Sequence, residues 1–179
     1  MNKKPEDLDL VKEAKSGSIS AFQTLYMRHL DAIYRYFFFQ TKDKFLSEDL
    51  AQDVFIRIWK AVGSYDAKKG AFTSWMYRIA HNLLIDHYRS KKALHLKEGL
   101  EASYSEDWLE KLDRNDKLEK IKEALSKLPQ DYQEVVILRF FEDLGVEEVS
   151  VIMDKSEENI RVIQHRAIRK LKEILAYDN

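Results

Sequence analysis

The chain has 179 residues, with 30 Lys plus Arg against 31 Asp plus Glu, a formal net charge of −1 and no Cys. That length holds one large domain or two small ones, and 45% hydrophobic with 34% charged residues describes a foldable, highly charged protein rather than a disordered one. The lack of Cys excludes disulfides, a thiol nucleophile and Cys-ligated zinc. The first residues carry no apolar signal-peptide run, and nowhere do about 18 apolar residues follow one another. A cytoplasmic protein without a membrane span is expected. The near-zero net charge does not advertise nucleic-acid binding, so any such function must come from local clustering.

Two Pro and five Gly fall between periodic segments rather than inside them, which predicts an all-α fold. A first helix is expected from about Glu6 to Lys15, ended by Gly17. A second starts after Ser18 or Ser20 and carries Phe22, Leu25, Tyr26, Ile33, Tyr36 and Phe37 to about Gln40. The third has Ser47 as its expected N-cap, Leu50, Val54, Ile58 and Val62 at helical spacing, and Gly63 as its stop. A fourth spans about Thr73 to Ser90. From Glu98 to Glu119 there are eight acids against three bases, and about Lys91 to Arg114 reads as an acidic, solvated linker. Order resumes with Leu118, Ile121, Leu125 and Leu128, stopped by Pro129. In Asp131 to Phe141 the Val135–Leu138 run fits a buried strand or a buried helix, and the helical flanks favour the helix. Val146 to Met153, a turn at Asp154-Lys155 and a basic helix from Ser156 to about Leu175 read as a helix-turn-helix. The expected organisation is a helical domain over 1–92, an acidic linker over 93–113 and a helix-turn-helix domain over 114–179.

Three helix faces do not read as plain surface when residues are placed at about 100° intervals. In the third helix, Asp49, Gln52, Asp53, Ile56, Trp59 and Lys60 lie opposite the core stripe. Two large apolar side chains on a polar face fit a protein-binding patch, or cover by another helix of the same domain. In the fourth helix, Trp75, Arg78, Asn82, Asp86 and Arg89 share a stripe, with Tyr65, Phe72 and Thr73 just upstream and Lys91, Lys92 and Lys97 downstream. Rings that stack on unpaired bases and cations that follow a backbone suit single-stranded nucleic acid. The same residues also fit a core Trp75 beside an ordinary Asp86/Arg89 pair. In the last helix, Glu158, Arg161, Val162, His165, Arg166, Arg169 and Lys172 lie opposite a buried stripe of Ile160, Ile163, Ala167, Leu171 and Ile174. Between Asn159 and Lys172 there are five bases and no acid. The bases also suit a helix C-terminus, but after a short helix and a turn this face fits the major groove.

Enzymatic patterns are missing from the sequence. His81 and His87 lie about 240° apart on a helix and cannot jointly bind a metal from one face. There is no glycine-rich phosphate loop, nucleophile elbow or paired-carboxylate motif. No catalytic residue, metal or cofactor is expected.

The pattern of residues resembles the extracytoplasmic-function (ECF) class of bacterial RNA polymerase sigma factors along nearly the whole chain. Asp49-Leu50-Ala51-Gln52-Asp53-Val54-Phe55 through Trp59 is similar to that family's polymerase-binding helix. Phe72 through Asn82, with Asp86 and Arg89, is similar to its −10 reading and melting segment. Leu128-Pro129, Leu138-Arg139, Leu144 through Val149 and His165-Arg166-Ala167 are similar to its −35 helix-turn-helix. The resemblance implies core RNA polymerase and promoter DNA as partners, with an anti-sigma factor by analogy. It gives polymerase contact to Asp49, Gln52, Asp53, Ile56 and Trp59. It gives −10 contact to Tyr65, Phe72, Trp75, Arg78, Asn82 and Arg89, with a flipped base held by the loop from Ser64 to Phe72. It gives −35 contact to Glu158, Arg161, Val162, His165, Arg166 and Arg169. The acidic linker, with Glu101, Glu106, Asp107 and Glu110, is expected to imitate RNA in the exit path. The chain departs from the family where Glu158-Asn159-Ile160 replaces the common Gly-Thr-Val, where Ser150 replaces Ala and where Ile168 replaces a base. These departures bear on the −35 sequence rather than the fold. The alternatives are a two-domain regulator that binds duplex DNA without polymerase, and an adaptor that makes protein contacts alone.

Overall fold

The computed structural model describes residues 6–98, 121 and 123–177, the stretch 92–98 as helical backbone only. Most of the acidic linker, including Glu101, Glu106, Asp107 and Glu110, lies outside the described residues. The described chain is all-helical, without a strand.

Helix α1 (Asp7–Lys15) has Asp7 and Asp9 in its first turn and Lys12 and Lys15 in its last, each complementing the helix dipole. It buries Leu10, Val11 and Ala14. Gly17, at φ +90°, makes the turn that a side chain would strain. Helix α2 (Ile19–Thr41) begins at Ser18, whose hydroxyl accepts from the Ala21 amide. Helix α3 (Lys44–Ala61) begins earlier than expected. Its N-cap is Asp43, whose side chain accepts from the Leu46 amide, and not Ser47. The left-handed Lys42 turns the chain just before Asp43, so the capping geometry arises there. Ser47 sits a turn inside, fully buried, its hydroxyl donating to the Asp43 carbonyl at 2.5 Å and lying 2.8 Å from Thr41 Oγ1.

Helix α4 (Phe72–Glu98) runs past the expected end at Ser90. No Gly or Pro intervenes before Gly99, and Lys91-Lys92-Ala93-Leu94 are good helix formers, so the start of the expected linker is helix. These helices close around Leu25, Ile33, Tyr36, Phe37, Ile58, Met76 and Leu84, all within one core.

In the C-terminal half, helical residues 123–126 (α5) lead through Pro129 to α6 (Gln130–Val136). The Val135–Leu138 run is the buried helix that its flanks favoured. From Ile137 to Phe141 the helix widens into a π-turn, closed by the Glu142 amide on the Ile137 carbonyl at 3.1 Å. Helix α7 (Val146–Met153) and α8 (Glu157–Tyr177) form the helix-turn-helix around a left-handed Asp154. Arg139 braces it, donating to Gln164 Oε1 at 3.1 Å and to the Leu144 carbonyl.

The two halves meet along a seam of aromatic and polar contacts. Phe39 packs on Phe141 with centroids 4.9 Å apart. Glu134 on α6, 1% exposed, accepts from the Tyr36 hydroxyl at 2.5 Å and faces His81 Nδ1 at 2.7 Å. Glu142 accepts from the Arg35 guanidinium at 3.0 and 3.2 Å and from the Tyr77 hydroxyl at 2.6 Å. Glu148 on α7 accepts from the Ser74 hydroxyl at 2.5 Å and, through its other oxygen, from the Gly145 amide at 2.8 Å. Burial, and then the adjacent Glu134, holds the Tyr36 phenol well above its usual titration range; burial and then Glu142 does the same to Tyr77. Both hydroxyls stay protonated and donating.

Away from the seam, Asp7 pins α1 to α2 through Arg28 at 2.5 Å and His29 Nε2 at 2.8 Å. The His29 hydrogen bond, aided by both positive partners and opposed by burial, lowers the Asp7 carboxyl below its usual value. A value lowered by folding adds stability above the unfolded value of about 3.9, and that stability is lost as pH falls through the folded value. Asp7→Asn should therefore cost about 1 kcal/mol at pH 7 and little by about pH 2. Urea unfolding at both pH values checks this; an equal loss at both would assign the effect to packing instead.

Candidate functional site

On α3 the core stripe faces inward and leaves Asp49, Gln52, Asp53, Ile56 and Trp59 exposed together. Ile56 is 50% and Trp59 41% exposed, which is unusual for side chains of that size. Among the described residues no helix covers them. The Trp59 ring instead leans on Phe22 of α2, centroids 4.8 Å apart, and Phe55 meets Tyr26 edge-on at 4.8 Å. The result is a mostly apolar groove of about 490 Å³, lined by Ile19, Phe22, Tyr26, Gln52, Phe55, Ile56 and Trp59.

Sequence reasoning missed Phe45. At 75% exposure it extends the stripe by a turn, at positions 45, 49, 52, 56 and 59. Placing the helix start at Ser47 put Phe45 outside the helix and hid that 4-3-4-3 spacing. Ile19, 73% exposed at the end of the groove, was missed because it sits at a helix start, where periodicity has barely begun.

On α4 the structure separates the candidate residues into two sets. Arg78, Asn82, Asp86 and Arg89 are exposed along one side. Tyr65 and Phe72 are buried, and Trp75 is half-buried against them, with centroids 5.3 and 5.9 Å away. The buried pair shapes the preceding loop. The Tyr65 hydroxyl donates to the Gly70 carbonyl at 2.9 Å, and burial followed by the Asp66 charge raises that phenol, keeping the donor protonated. The Lys15 ammonium reaches the Tyr65 carbonyl and lies 5.7 Å from the ring centre. Asp66 accepts from the Lys68 amide at 3.0 Å, and Gly70 takes φ +144°, a conformation that suits glycine. A hollow of about 300 Å³ opens between this loop and the start of α1, lined in part by Tyr65, Ala67, Gly70, Phe72, Thr73 and Asp7.

On α8 all six candidates, Glu158, Arg161, Val162, His165, Arg166 and Arg169, are exposed, while Ile160, Ile163 and Ala167 are buried beneath them. Ser156 starts the helix by accepting from the Asn159 amide at 3.2 Å. Arg161 meets Glu157 at 2.6 Å and Arg169 meets Glu173 at 3.9 Å, both exposed pairs that a stronger anion can displace. Among the described residues there is no group of three or more His, Cys, Asp or Glu side chains able to hold a metal ion, and no helix long and apolar enough to cross a membrane.

The comparisons with known proteins match both halves. Sigma-70 region 2 matches residues 25–94, and Sigma-70, region 4 matches residues 124–173. The ECF RNA polymerase sigma factor SigM of Bacillus subtilis is 33% identical, covering 83% of this chain and 91% of its own length. The chain belongs to the ECF class of RNA polymerase sigma factors.

A second relative, the ECF sigma factor BldN of Streptomyces coelicolor, is 32% identical over 96% of this chain, which spans 66% of that protein's length. Among solved structures, CnrH in complex with the cytosolic domain of CnrY superposes with a TM-score of 0.74 at 25% identity, covering 97% of this chain and 99% of that one. The sigma factor RpoE of Bartonella quintana, solved with the anti-sigma factor NepR, superposes at 0.75 and 21% identity, over 90% and 100% of the two chains, and supports the fold. An ECF sigma factor binds core RNA polymerase and directs it to specific promoters; a duplex-binding regulator independent of polymerase is not favoured.

Exposure separates the outer stripe of α3 from its core residues by stability. Phe45→Ala and Ile56→Ala should each change the unfolding free energy by less than about 0.5 kcal/mol. Phe55→Ala, on the buried side of the same helix, should cost about 3–5 kcal/mol. Denaturant titrations check the contrast, and a large loss at Phe45 would make it a packing residue.

Proposed function

We propose that the three faces divide the work of this sigma factor. The α3 stripe of Asp49, Gln52, Asp53, Ile56 and Trp59, extended by Phe45, docks on core polymerase. Arg78, Asn82 and Arg89 contact the −10 strand as it opens, with Trp75 stacking from a base that Tyr65 and Phe72 hold in place. The hollow beside the loop from Ser64 to Phe72 takes a base flipped from the duplex, at a cost of a few kcal/mol that pocket contacts offset. Glu158, Arg161, Val162, His165, Arg166 and Arg169 meet the −35 duplex, the first residues at base edges and the later cations at phosphates. The polymerase supplies the chemistry. An anti-sigma factor as regulatory partner fits the solved relatives: CnrH is bound to the cytosolic domain of CnrY, and the sigma factor RpoE to the anti-sigma factor NepR. A cytoplasmic site of action fits the role.

The observation that carries this reading is the α3 stripe. Two half-exposed aliphatic and aromatic side chains on an acidic face, ringed by polar groups, have the composition of an interface anchor. Duplex binding alone has no use for such a face.

Phe45→Ala/Trp59→Ala should weaken binding to purified core polymerase at least tenfold, about 1.4 kcal/mol or more, read by competition against the native chain. Undiminished competition would remove the stripe from the interface. Arg161→Ala should cost about 1–3 kcal/mol at the −35 element and relax one base position. Transcription from genomic DNA with sequenced 5′ ends measures both the promoter motifs and that relaxation; an equal loss at all promoters would make Arg161 a phosphate contact.

A further inference from the structure

The polar contacts across the seam are one-sided. Arg35, Tyr36, Ser74, Tyr77 and His81 of the N-terminal half meet Glu134, Glu142 and Glu148 of the C-terminal half. In each of these contacts the N-terminal half donates and a carboxylate oxygen accepts. For His81 the donor role follows from its partner, because an ionised carboxylate can only accept. A guanidinium, an imidazole and three hydroxyls, gathered with three anionic oxygen pairs upon them, form the kind of surface that takes phosphate oxygens.

The position of this surface adds to its chemistry. Ser74, Tyr77 and His81 form a stripe on α4 at 3-4 spacing, one residue behind the exposed stripe of Trp75, Arg78 and Asn82. One residue is about 100° of rotation, so the two stripes are neighbours on the same helix. The closed arrangement also cannot serve a promoter. Elements at −10 and −35 lie about 25 base pairs apart, or about 85 Å along B-DNA. Here the helix-turn-helix touches α4 directly, through Ser74 and Glu148 at 2.5 Å. The seam has to open, and its donors then lose their acceptors beside the path of the −10 strand.

We propose that Arg35, Tyr36, Ser74, Tyr77 and His81 form a binding site for the phosphate backbone of the opened −10 strand, which Glu134, Glu142 and Glu148 occupy in the closed protein as phosphate mimics. The proposal rests on the reading that α4 meets the −10 strand. It makes the seam a competition: DNA and the C-terminal half use the same donors, so the site becomes available only when the halves part. Arg35, 43% exposed at its side chain, carries a permanent charge, so a salt titration reads its contact directly.

The test uses the full chain and a short fluorescent single-stranded DNA of mixed sequence. Glu134→Gln/Glu142→Gln should raise the radius of gyration in solution scattering and tighten DNA binding at least tenfold. The comparison is with Glu13→Gln/Glu123→Gln, which removes the same two charges from exposed positions away from the seam. In the opened variant, Arg35→Gln should weaken binding and reduce the slope of log affinity against log salt by about 0.7, the value for one phosphate contact on a single strand. Should circular dichroism show that the double variant does not fold, Phe141→Ala opens the aromatic half of the seam and goes through the same assay. An opened protein that binds no tighter than the charge control, or an unchanged salt slope on Arg35→Gln, overturns the proposal. Arg78→Ala in the same opened background distinguishes the two failures. If it weakens binding while Arg35→Gln does not, only the phosphate site falls; if neither matters, the −10 reading of α4 falls with it.

Discussion

A carboxylate buried to 1% exposure loses several kcal/mol of hydration unless hydrogen bonds replace the water, and Glu134 finds those bonds in the other half of the molecule. Tyr36 and His81 come from two helices of the N-terminal domain, so one acidic side chain fixes α6 against both α2 and α4 at once. The rest of the closed arrangement depends on that placement. The π-turn that follows α6 carries Phe141 to Phe39 and brings Glu142 to Arg35 and Tyr77. Glu148, one helix further on, closes the line on Ser74 while it also caps its own helix. Ion pairs and charged hydrogen bonds of this kind orient more than they stabilise, because desolvation offsets most of their attraction. A seam held in that way specifies one closed geometry and still opens when a partner favours the open one.

The exposed faces proposed for polymerase and promoter contact on α3, α4 and α8 stay outside this seam. Each is the outward side of a helix whose inward side is core: Val54 and Ile58 beneath Ile56 and Trp59, Met76 and Ala80 beneath Arg78 and Asn82, Ile160 and Ile163 beneath Arg161 and Val162. Packing therefore holds each of these outward residues on a rigid element and leaves its end exposed. The aromatic residues around the α4 loop show a division of labour within one cluster. Tyr65 and Phe72 are buried, and Trp75 packs half-buried against both rings.

Much of the fold was legible in the sequence. Periodicity and the placement of Gly and Pro gave the all-α class, the first helix of the helix-turn-helix at Val146 to Met153 and the buried character of Val135 to Leu138. Helix ends were less legible. Asp43 and Ser47 are both good capping residues, and only the left-handed turn at Lys42 decides between them. That error also concealed Phe45, since a residue outside a helix has no face. The end of α4 was placed too early because charge composition was read as linker where the helix propensity of Lys91 to Leu94 prevailed.

Local pattern thus carried the helices, their inward and outward sides and the family, because a 3.6-residue period and short motifs are properties of neighbouring residues. The pairing of Glu134 with Tyr36 and His81, across 98 and 53 positions of chain, has no such local signature. Nothing in the residues around Glu134, Glu142, Tyr36 or Tyr77 marks them as partners. Only folding brings them together, because a buried carboxylate must take the donors that the opposing surface offers, and which donors those are depends on how two preformed helical domains fit.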